Sequence, residues 1–303
     1  MTNGILLVNK PEGLSSARVV DQVKKIFQVK KAGHTGTLDP FATGLLPVAL
    51  GRATRISRFF LGSPKHYRAV VTLGIETDTL DKTGTVIFQA GPDLVSSIQP
   101  EQVRQVTAEF AGVQQQVAPS FSALKHQGQP LYKLARQGKM IQKPPRTIEI
   151  YSISVTRMDL PEFEIAVKCS GGTYIRSLAH DMGRLLGCGA HLSGLCRTGV
   201  SQFTLDQAID LDTLHTCDRK SASNHVIAMA DCLPFMPLVQ ADTALEEKIR
   251  YGRKLRHQDI GSGNDRVPAD GFIRITGSDG RLIAVVQADN NQAGYNYCCV
   301  FSG

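Results

Sequence analysis

The sequence has no run of apolar residues long enough to span a membrane. Its opening residues, Met-Thr-Asn-Gly-Ile-Leu-Leu-Val, also have no basic region ahead of a long apolar one. The first absence argues against a transmembrane helix, and the second against a secretory signal of the ordinary form. We therefore expect a cytoplasmic protein that has no contact with a membrane.

Paired cysteine spacings are absent too. The seven cysteines are odd in number, and none belongs to a Cys-x-x-Cys pair. His191 lies between Cys188 and Cys196, but the regularly spaced ligands of a zinc site are missing. We predict reduced thiols and no metal.

Acidic residues are missing from one long segment. Between Ser120 and Ile148 the sequence has six bases and no acid: Lys125, Lys133, Arg136, Lys139, Lys143 and Arg146. This segment nearly accounts for the net charge of +7 and the pI near 9.1 of the 303-residue chain. Such an excess indicates a polyanionic partner, which could be nucleic acid or an anionic membrane. The content of 20% charged and 42% hydrophobic residues is that of a globular protein.

One acid stands alone between Lys31 and Gly74. Asp39 lies in a Gly-rich loop, precedes Pro40, and is followed by five bases: Arg52, Arg55, Arg58, Lys65 and Arg68. Because proline restricts the residue before it, the backbone direction at Asp39 is fixed. An isolated acid among bases is typical of a site that acts on a polyanion. The alternative is that Asp39 and Pro40 only start a turn.

Hydrophobic periodicity predicts a mixture of strands and helices. Strict alternation over Glu162–Cys169 predicts an antiparallel strand with one covered face. Apolar residues at helical spacing predict a helix capped by Ser15 or Ser16. A further helix places Arg176 in its first turn, where the helix dipole disfavours a cation. Arg176 therefore needs an anionic partner.

Two short motifs lack the context that a ligand site requires. Asp78 and Asp81 stand beside Lys82-Thr83-Gly84, a composition that is typical of a turn. Gly171-Gly172 lacks the spacing of the known phosphate-binding glycine loops. We assign neither motif to a metal or a phosphate.

The C-terminal part predicts a small β-domain. A junction at Leu233–Pro237 divides the chain into residues 1–236 and 237–303, and strands on both sides of Gly277-Ser278-Asp279-Gly280 predict a hairpin. Eight acids and eight bases make the second part neutral. We expect any contact of this part with a polyanion to come from the basic cluster 253–257, with Arg253 and Lys254 on phosphates.

Five motifs occur in order along the chain. They are Asn9-Lys10-Pro11, Gly33-His34-Thr35-Gly36-Thr37-Leu38-Asp39-Pro40, Lys65-His66-Tyr67-Arg68, Phe121-Ser122-Ala123-Leu124-Lys125 and Gly172-Thr173-Tyr174-Ile175-Arg176. Together they resemble the TruB family of tRNA pseudouridine synthases over roughly residues 4–210. The resemblance implies an α+β fold: a mixed, mainly antiparallel sheet with flanking helices, followed by a PUA-like, β-barrel-like domain. It also implies isomerisation of uridine 55 in the TΨC loop of tRNA.

The same resemblance implies roles for single residues. Asp39 would be the catalytic aspartate, and Arg176 would pair with it and lower its pKa. The other implied substrate contacts are Tyr67 on the target base, Tyr174 and Leu195 at the pocket, and His34 in the gap left by the flipped nucleotide. Asp39 could act as a nucleophile or as a base at the sugar. Cys196 departs from the family, which usually has a base there, so a phosphate contact at that position is in doubt.

The expected partner is tRNA, recognised through its TΨC stem-loop. We predict that residues 120–147 form a mobile insertion that clamps RNA through Lys125, Lys133, Arg136 and Lys139. The reaction changes no oxidation state, so we expect no cofactor and no metal, and we expect a monomer that needs no protein partner. Two other functions stay open: an RNA-binding and refolding module with a structural Asp39, and a synthase that acts on another RNA.

Overall fold

The computed structural model describes residues 2–260, 271–289 and 294–301. Its strands are β1 (Gly4–Lys10), β2 (Ala32–His34), β3 (Thr43–Leu50), β4 (Lys65–Leu73), β5 (Ile75–Thr77), β6 (Val86–Gln89), β7 (Gly112–Gln116), β8 (Lys125–His126), β9 (Gln129–Pro130), β10 (Arg146–Asp159), β11 (Glu162–Cys169), β12 (Ala190–Val200), β13 (Phe203–Thr204), β14 (Ile209–Asp210), β15 (Val226–Ala228), β16 (Leu238–Gln240), β17 (Leu255–Arg256), β18 (Phe272–Thr276), β19 (Leu282–Asp289) and β20 (Gly294–Val300). Its α-helices are α1 (Ser16–Phe27), α2 (Arg58–Leu61), α3 (Pro92–Ser97), α4 (Pro100–Glu109), α5 (Leu131–Ala135), α6 (Ile175–Leu185), α7 (Leu211–Thr216), α8 (Arg219–Asn224), α9 (Thr243–Arg250) and α10 (His257–Ile260).

Eleven strands form one large sheet. Its main path runs β14-β1-β3-β12-β4-β11-β10-β7, and β2, β13 and β15 pair with β3, β12 and β1. The pairs β1/β14 and β3/β12 are parallel, whereas the long neighbours β12, β4, β11 and β10 are antiparallel. The predicted mixed, mainly antiparallel sheet is confirmed. Among the described residues, no helix has the length and apolar character needed to cross a membrane.

Helices α1 and α6 form where the spacing of apolar residues predicts them. Ser15 caps α1 by accepting a hydrogen bond from the backbone N–H of Arg18. The buried face of α1 packs on apolar residues of β1 and β3. Helix α6 begins at Ile175 and packs, together with α4, on the part of the sheet formed by β4, β11 and β12. Burial of these apolar faces fixes both helices against the sheet.

The C-terminal strands form a second sheet of five strands in the order β16-β18-β19-β20-β17. It has its own apolar core around α9, and it also shares a buried cluster with the first sheet, in which Phe60 and Met236 pack with Val285 and Phe301. The division between residues 236 and 237 stays a prediction, because the two sheets are packed together through this shared cluster.

Two of the bases that follow Asp39 have a structural role. Arg52 donates a hydrogen bond of 2.7 Å to the carbonyl oxygen of Phe301, and Arg55 donates to the carbonyl of Val300. The Arg55 guanidinium also lies 5.2 Å from the centre of the Phe301 ring. These arginines hold the C-terminal strand, so the hypothesis that they surround Asp39 was wrong for them.

A substitution at Gly44 tests how much the close approach of β3 and β12 matters for stability. Its φ is +98°, and a Cβ atom there would lie 2.4 Å from the carbonyl oxygen of Arg197. We expect Gly44→Ala to lower the free energy of unfolding by more than about 3 kcal/mol, since backbone strain and a clash with rigid backbone act together. Chemical denaturation measures this loss.

Gly13→Ala is the matched control. Gly13 has a φ of +86° but no atom within 4 Å of an added Cβ, so only backbone strain applies. We expect a loss of about 1 kcal/mol for this variant. Equal losses for the two variants would show that the close approach at Gly44 has no energetic weight.

Candidate active site

The first sheet brings five of the six predicted substrate-site residues to one cavity of about 380 Å³. Its lining includes Asp39, Tyr67, Tyr174, Arg176 and Leu195. These residues are far apart in sequence, but β4 and β12 are neighbours in the sheet, β12 adjoins β3, and α6 begins directly after Tyr174. The cavity is therefore formed by strand pairing between distant segments.

The loop that carries Asp39 is held from one side by Arg197. Only 2% of Arg197 is exposed. Its Nη2 and Nη1 donate to the carbonyl oxygens of Gly36 at 3.0 Å and Thr37 at 3.3 Å, while Nε donates to Leu45 at 2.8 Å. Sequence reasoning gave Arg197 no role, since its partners are backbone carbonyls that no residue type reveals.

The other side of the loop is held by the first strand and helix. The Ser16 hydroxyl donates to the carbonyl of Leu38 at 2.9 Å and accepts from its N–H at 2.8 Å. The buried Lys10 ammonium donates to the carbonyl of Pro40 at 3.1 Å. Burial lowers the pKa of Lys10 to about 8, against the opposing effect of Asp39. The residues on both sides of Asp39 are thus fixed by side chains from elsewhere in the fold.

Arg176 has the anionic partner that its helix position requires, and it has a second one. Its Nε lies 3.0 Å from Oδ2 of Asp39, and its Nη1 lies 3.2 Å from Oδ2 of Asp81. It also donates to the carbonyls of Thr79 and Phe121, both at 2.8 Å. Arg176 is buried, whereas 35% of the Asp39 side chain stays exposed to the cavity. The predicted pair is present, and the free side of the carboxylate can meet a substrate.

The interpretation of Asp81 as only a turn residue was incomplete. Asp81 does accept turn hydrogen bonds from Thr79 and Thr83, but it is buried and paired with Arg176. Asp78, by contrast, accepts from the N–H of Thr85 in the turn itself. Nothing in the local sequence distinguishes the two aspartates, because their roles depend on a helix almost a hundred residues away.

The pKa of Asp39 departs from the expectation. Burial raises it above the ordinary value of 3.8, and the charge of Arg176 opposes this rise without cancelling it. Asp81 adds to the rise through like-charge repulsion. Arg176 lowers the pKa of Asp39 as predicted, but burial of the carboxylate, which the prediction did not include, raises the pKa by more.

The two tyrosines are held in different ways. Tyr67 projects from β4 beside Arg197, and burial raises the pKa of its hydroxyl. Tyr174 has its backbone fixed by Gln116, whose side-chain amide accepts from its N–H at 2.7 Å and donates to its carbonyl at 2.9 Å. The guanidinium of Arg146 lies 4.4 Å from the centre of the Tyr174 ring. Both rings border the cavity with restricted freedom.

His34 lies at the end of β2, just before the loop of Asp39, and does not line the cavity. Burial lowers the pKa of its imidazole, and the positive charge of Arg197 lowers it further. Its Nδ1 is enclosed and has no hydrogen-bond partner in the described part of the chain. A neutral ring at this position is compatible with stacking, as the resemblance implies.

The residues predicted to bind the RNA backbone lie at the surface. The side chains of Lys125, Lys133, Arg136, Lys139, Arg253 and Lys254 are exposed. Within this basic segment, helix α5 buries Leu131 and Leu134. The start of the basic segment borders the cavity through Ser122, Ala123 and Leu124, so the segment adjoins the site.

The sequence predicted no metal site at Cys188, His191 and Cys196, and the structure shows a different contact for His191. Its Nδ1 lies 3.1 Å from the carbonyl oxygen of Ile75, and the residue is buried. Within residues 2–260, 271–289 and 294–301, no group of three or more His, Cys, Asp or Glu side chains is arranged to hold a metal ion. All seven cysteines fall in these ranges as free thiols.

Family models match most of the chain. The N-terminal domain of TruB family pseudouridylate synthases matches residues 24–175, and the C-terminal domain of tRNA pseudouridylate synthase B matches residues 176–233. The chain belongs to the TruB family. It is therefore an RNA pseudouridine synthase, and the resemblance inferred from five motifs is confirmed.

Relatives and solved structures agree with this membership. The chain is 42% identical to tRNA pseudouridine synthase B of Francisella philomiragia, across 96% of this chain and 92% of that protein. It is 41% identical to the same enzyme of Geobacter sulfurreducens, across 94% and 93%. Similar structures are a Cbf5-Nop10-Gar1 complex (TM-score 0.74, 26% identity, 99% of this chain and 85% of that one) and an H/ACA RNP bound to a substrate RNA containing 2′-deoxyuridine (TM-score 0.73, 25%, 100% and 86%).

The pKa of Asp39 predicts how the activity of this TruB family member depends on pH. If Asp39 must be ionised to act, kcat/KM should fall with decreasing pH through a pKa above the ordinary 3.8. Arg176→Gln should move this fall to still higher pH, since it removes the main group that opposes the rise. Arg176→Lys keeps the charge and should move it less. A fall that shifts to lower pH in Arg176→Gln would contradict the assignment.

Proposed function

We propose that this protein isomerises uridine 55 in the TΨC loop of tRNA to pseudouridine, with Asp39 as the catalytic residue. The observation that carries the proposal is the Asp39 carboxylate, held 3.0 Å from Arg176 and partly exposed to a cavity bordered by Tyr67 and Tyr174. A carboxylate, a fixed cation and two rings around one cavity suit a nucleotide turned out of its stack.

Extruding a uridine from a folded loop costs a few kcal/mol, which contacts to the base and backbone must offset. Tyr67 borders the cavity from the strand side, and Tyr174 borders it from the start of α6. Leu195 supplies an apolar contact on β12. We assign His34, at the end of β2, to the space that the departing nucleotide leaves.

The chemistry requires one bond to break and one to form. The C1′–N1 bond of uridine breaks, the uracil turns, and a C1′–C5 bond forms, while C5 loses a proton and N1 gains one. The isomerisation has no net oxidation and no co-substrate. The ionised carboxylate of Asp39 has two possible roles, attack as a nucleophile or removal of a proton from the sugar. Arg176 aims this carboxylate in both.

The choice of tRNA rests on the relatives. Proteins 39–42% identical over 94–96% of this chain carry the name tRNA pseudouridine synthase B. A second candidate is a synthase for another RNA, since the Cbf5 complexes have the same fold at 25–26% identity. The higher identity and coverage favour tRNA. We also propose a cytoplasmic monomer that acts without a protein partner.

The exposed bases fit a role in affinity. We assign Lys125, Lys133, Arg136 and Lys139 to phosphate contacts of a mobile clamp, because they lie exposed on the segment that borders the cavity. We assign Arg253 and Lys254 to phosphates farther from the target. In this division of labour, residues 1–236 do the chemistry and residues 237–303 add affinity.

Asp39→Asn tests the reaction and the substrate together. On an isolated TΨC stem-loop, the wild type should form pseudouridine without a guide RNA. Asp39→Asn should lower the single-turnover rate by more than about 10²-fold, the smallest loss expected when a general base is removed. Its RNA affinity should survive, because Arg176 keeps Asp81 as a partner.

The matched control is Asp21→Asn, which removes an exposed carboxylate from α1. It should leave the rate and the affinity unchanged. Full activity of Asp39→Asn would show that Asp39 has only a structural role and that the chemistry does not depend on its carboxylate. Failure of the wild type on the stem-loop would favour the second RNA substrate.

The clamp predicts a change in salt dependence. Replacing Lys133, Arg136 and Lys139 together by Gln should weaken tRNA binding and reduce the slope of log K against log salt by up to about three. The turnover rate of bound RNA should change much less. Titration of binding at several salt concentrations measures the slope.

Lys24, Lys25 and Lys30 supply the control, since they are equally exposed on or next to α1. Replacing these three by Gln removes the same charge and should leave the slope unchanged. A similar change of slope in both triple variants would mean that net charge alone, and not the segment 120–147, governs binding.

A further inference from the structure

Four cationic side chains border the cavity: Lys65, Arg146, Arg176 and Arg197. Three of them have their donors engaged by the protein. Lys65 donates to three backbone carbonyls at 2.7 to 2.8 Å, and Arg197 also donates to three. Arg176 is bonded to two carboxylates and two carbonyls. All three donors of Lys65, and every nitrogen of the Arg176 and Arg197 guanidinium groups, therefore already have an acceptor within the protein.

Arg146 is different. Its Nε and Nη2 are enclosed, and neither has a hydrogen-bond partner in the described part of the chain. Enclosed guanidinium donors without acceptors are costly, because they lose their hydration and gain nothing in return. Unmet donors at the edge of a substrate cavity indicate that the acceptor arrives with the substrate.

Strand pairing and an aromatic ring fix the position of Arg146. Arg146 starts β10 and pairs with Gln116 of β7, and Gln116 in turn binds both backbone polar groups of Tyr174. The guanidinium lies 4.4 Å from the centre of the Tyr174 ring, within the range of a cation–π contact. One face of the guanidinium is therefore held by an aromatic ring that itself borders the cavity.

Gly172 leaves room beside the guanidinium. Its φ is +91°, and a Cβ atom there would lie 3.4 Å from Nη1 of Arg146. A side chain at this position would be in ordinary van der Waals contact with the guanidinium, so the positive φ is what favours glycine at Gly172. With glycine there, no side chain of this turn covers Nη1.

We propose that Arg146 binds a phosphate of the RNA backbone next to the flipped uridine. A phosphate supplies both the acceptors that Nε and Nη2 lack and the negative charge that the cation needs, whereas a base carbonyl supplies only an acceptor. The inference rests on the proposed function, since it takes the flipped nucleotide as the occupant of the cavity. It separates Arg146 from the five other bases of the segment, which lie outside the cavity lining.

The test is a double-mutant cycle between the protein and the RNA. Arg146→Gln is compared with the wild type on TΨC stem-loops that carry one neutral methylphosphonate, either 5′ or 3′ of the target uridine. Both single-turnover kcat/KM and equilibrium binding are measured. Arg157→Gln is the control, because Arg157 is an exposed arginine on the same strand.

We expect Arg146→Gln to lose about 10- to 100-fold in kcat/KM on unmodified RNA, the range of a charge-assisted hydrogen bond to phosphate. The wild type should lose a similar factor on one of the two modified RNAs, and Arg146→Gln should lose nothing further on that RNA. Arg146→Lys should fall between the two, as it keeps the charge without the planar fork. Arg157→Gln should behave as the wild type.

Three results would overturn the proposal. The losses could multiply independently at both positions, which would show that Arg146 acts only by supporting Tyr174. Arg146→Gln could equal Arg157→Gln. The binding measurements could also show no coupling between Arg146→Gln and the methylphosphonate, although the wild type is active on unmodified RNA. This result would refute the phosphate contact and leave the proposed function intact. An inactive wild type would instead refute the proposed function, and the binding cycle would still report on the contact.

Discussion

The site depends on one buried guanidinium that joins four segments of the chain. Arg176 binds the carboxylates of Asp39 and Asp81 and the carbonyls of Thr79 and Phe121. Loss of this cation would leave two carboxylates without a partner, whereas loss of the Asp39 charge leaves Arg176 paired with Asp81. The Asp39 loop, the Asp81 turn and the start of the basic segment are therefore fixed relative to α6 by a single side chain.

This arrangement orients the Asp39 carboxylate but makes its ionised form less favourable. The loop around it is held by Arg197, Ser16 and Lys10, and one oxygen of the carboxylate is bound by Arg176. Burial in this position raises its pKa, and Arg176 offsets only a part of the rise. Linkage has the corresponding sign: ionised Asp39 destabilises the folded state above its raised pKa, and this cost disappears as pH falls below the ordinary value. Preorganisation and stability are thus in opposition at this residue.

Positive charge in this protein serves the fold as much as it serves RNA. Lys10, Lys65 and Arg197 are buried and bind backbone carbonyls, while Arg52 and Arg55 hold the C-terminal strand. The net charge of +7 therefore overstates the surface that is free to meet a polyanion. Among the bases of residues 120–148, Arg146 borders the cavity, whereas Lys125, Lys133, Arg136 and Lys139 are exposed.

The sequence by itself determined the elements and the family. Alternation over Glu162–Cys169 and the cap before α1 predicted local structure correctly, because both depend on neighbouring residues. Five ordered motifs identified the family, and the unfavourable place of Arg176 in its helix indicated an anionic partner. Only the tertiary structure showed that Asp81 is a second partner of Arg176. It also showed that Arg52, Arg55 and Arg197 donate hydrogen bonds to backbone carbonyls of the protein. Those roles depend on contacts between distant residues, such as Arg197 and Gly36, which are 161 residues apart. The acceptors are backbone carbonyls, which every residue has, so the sequence does not show which of them is bound.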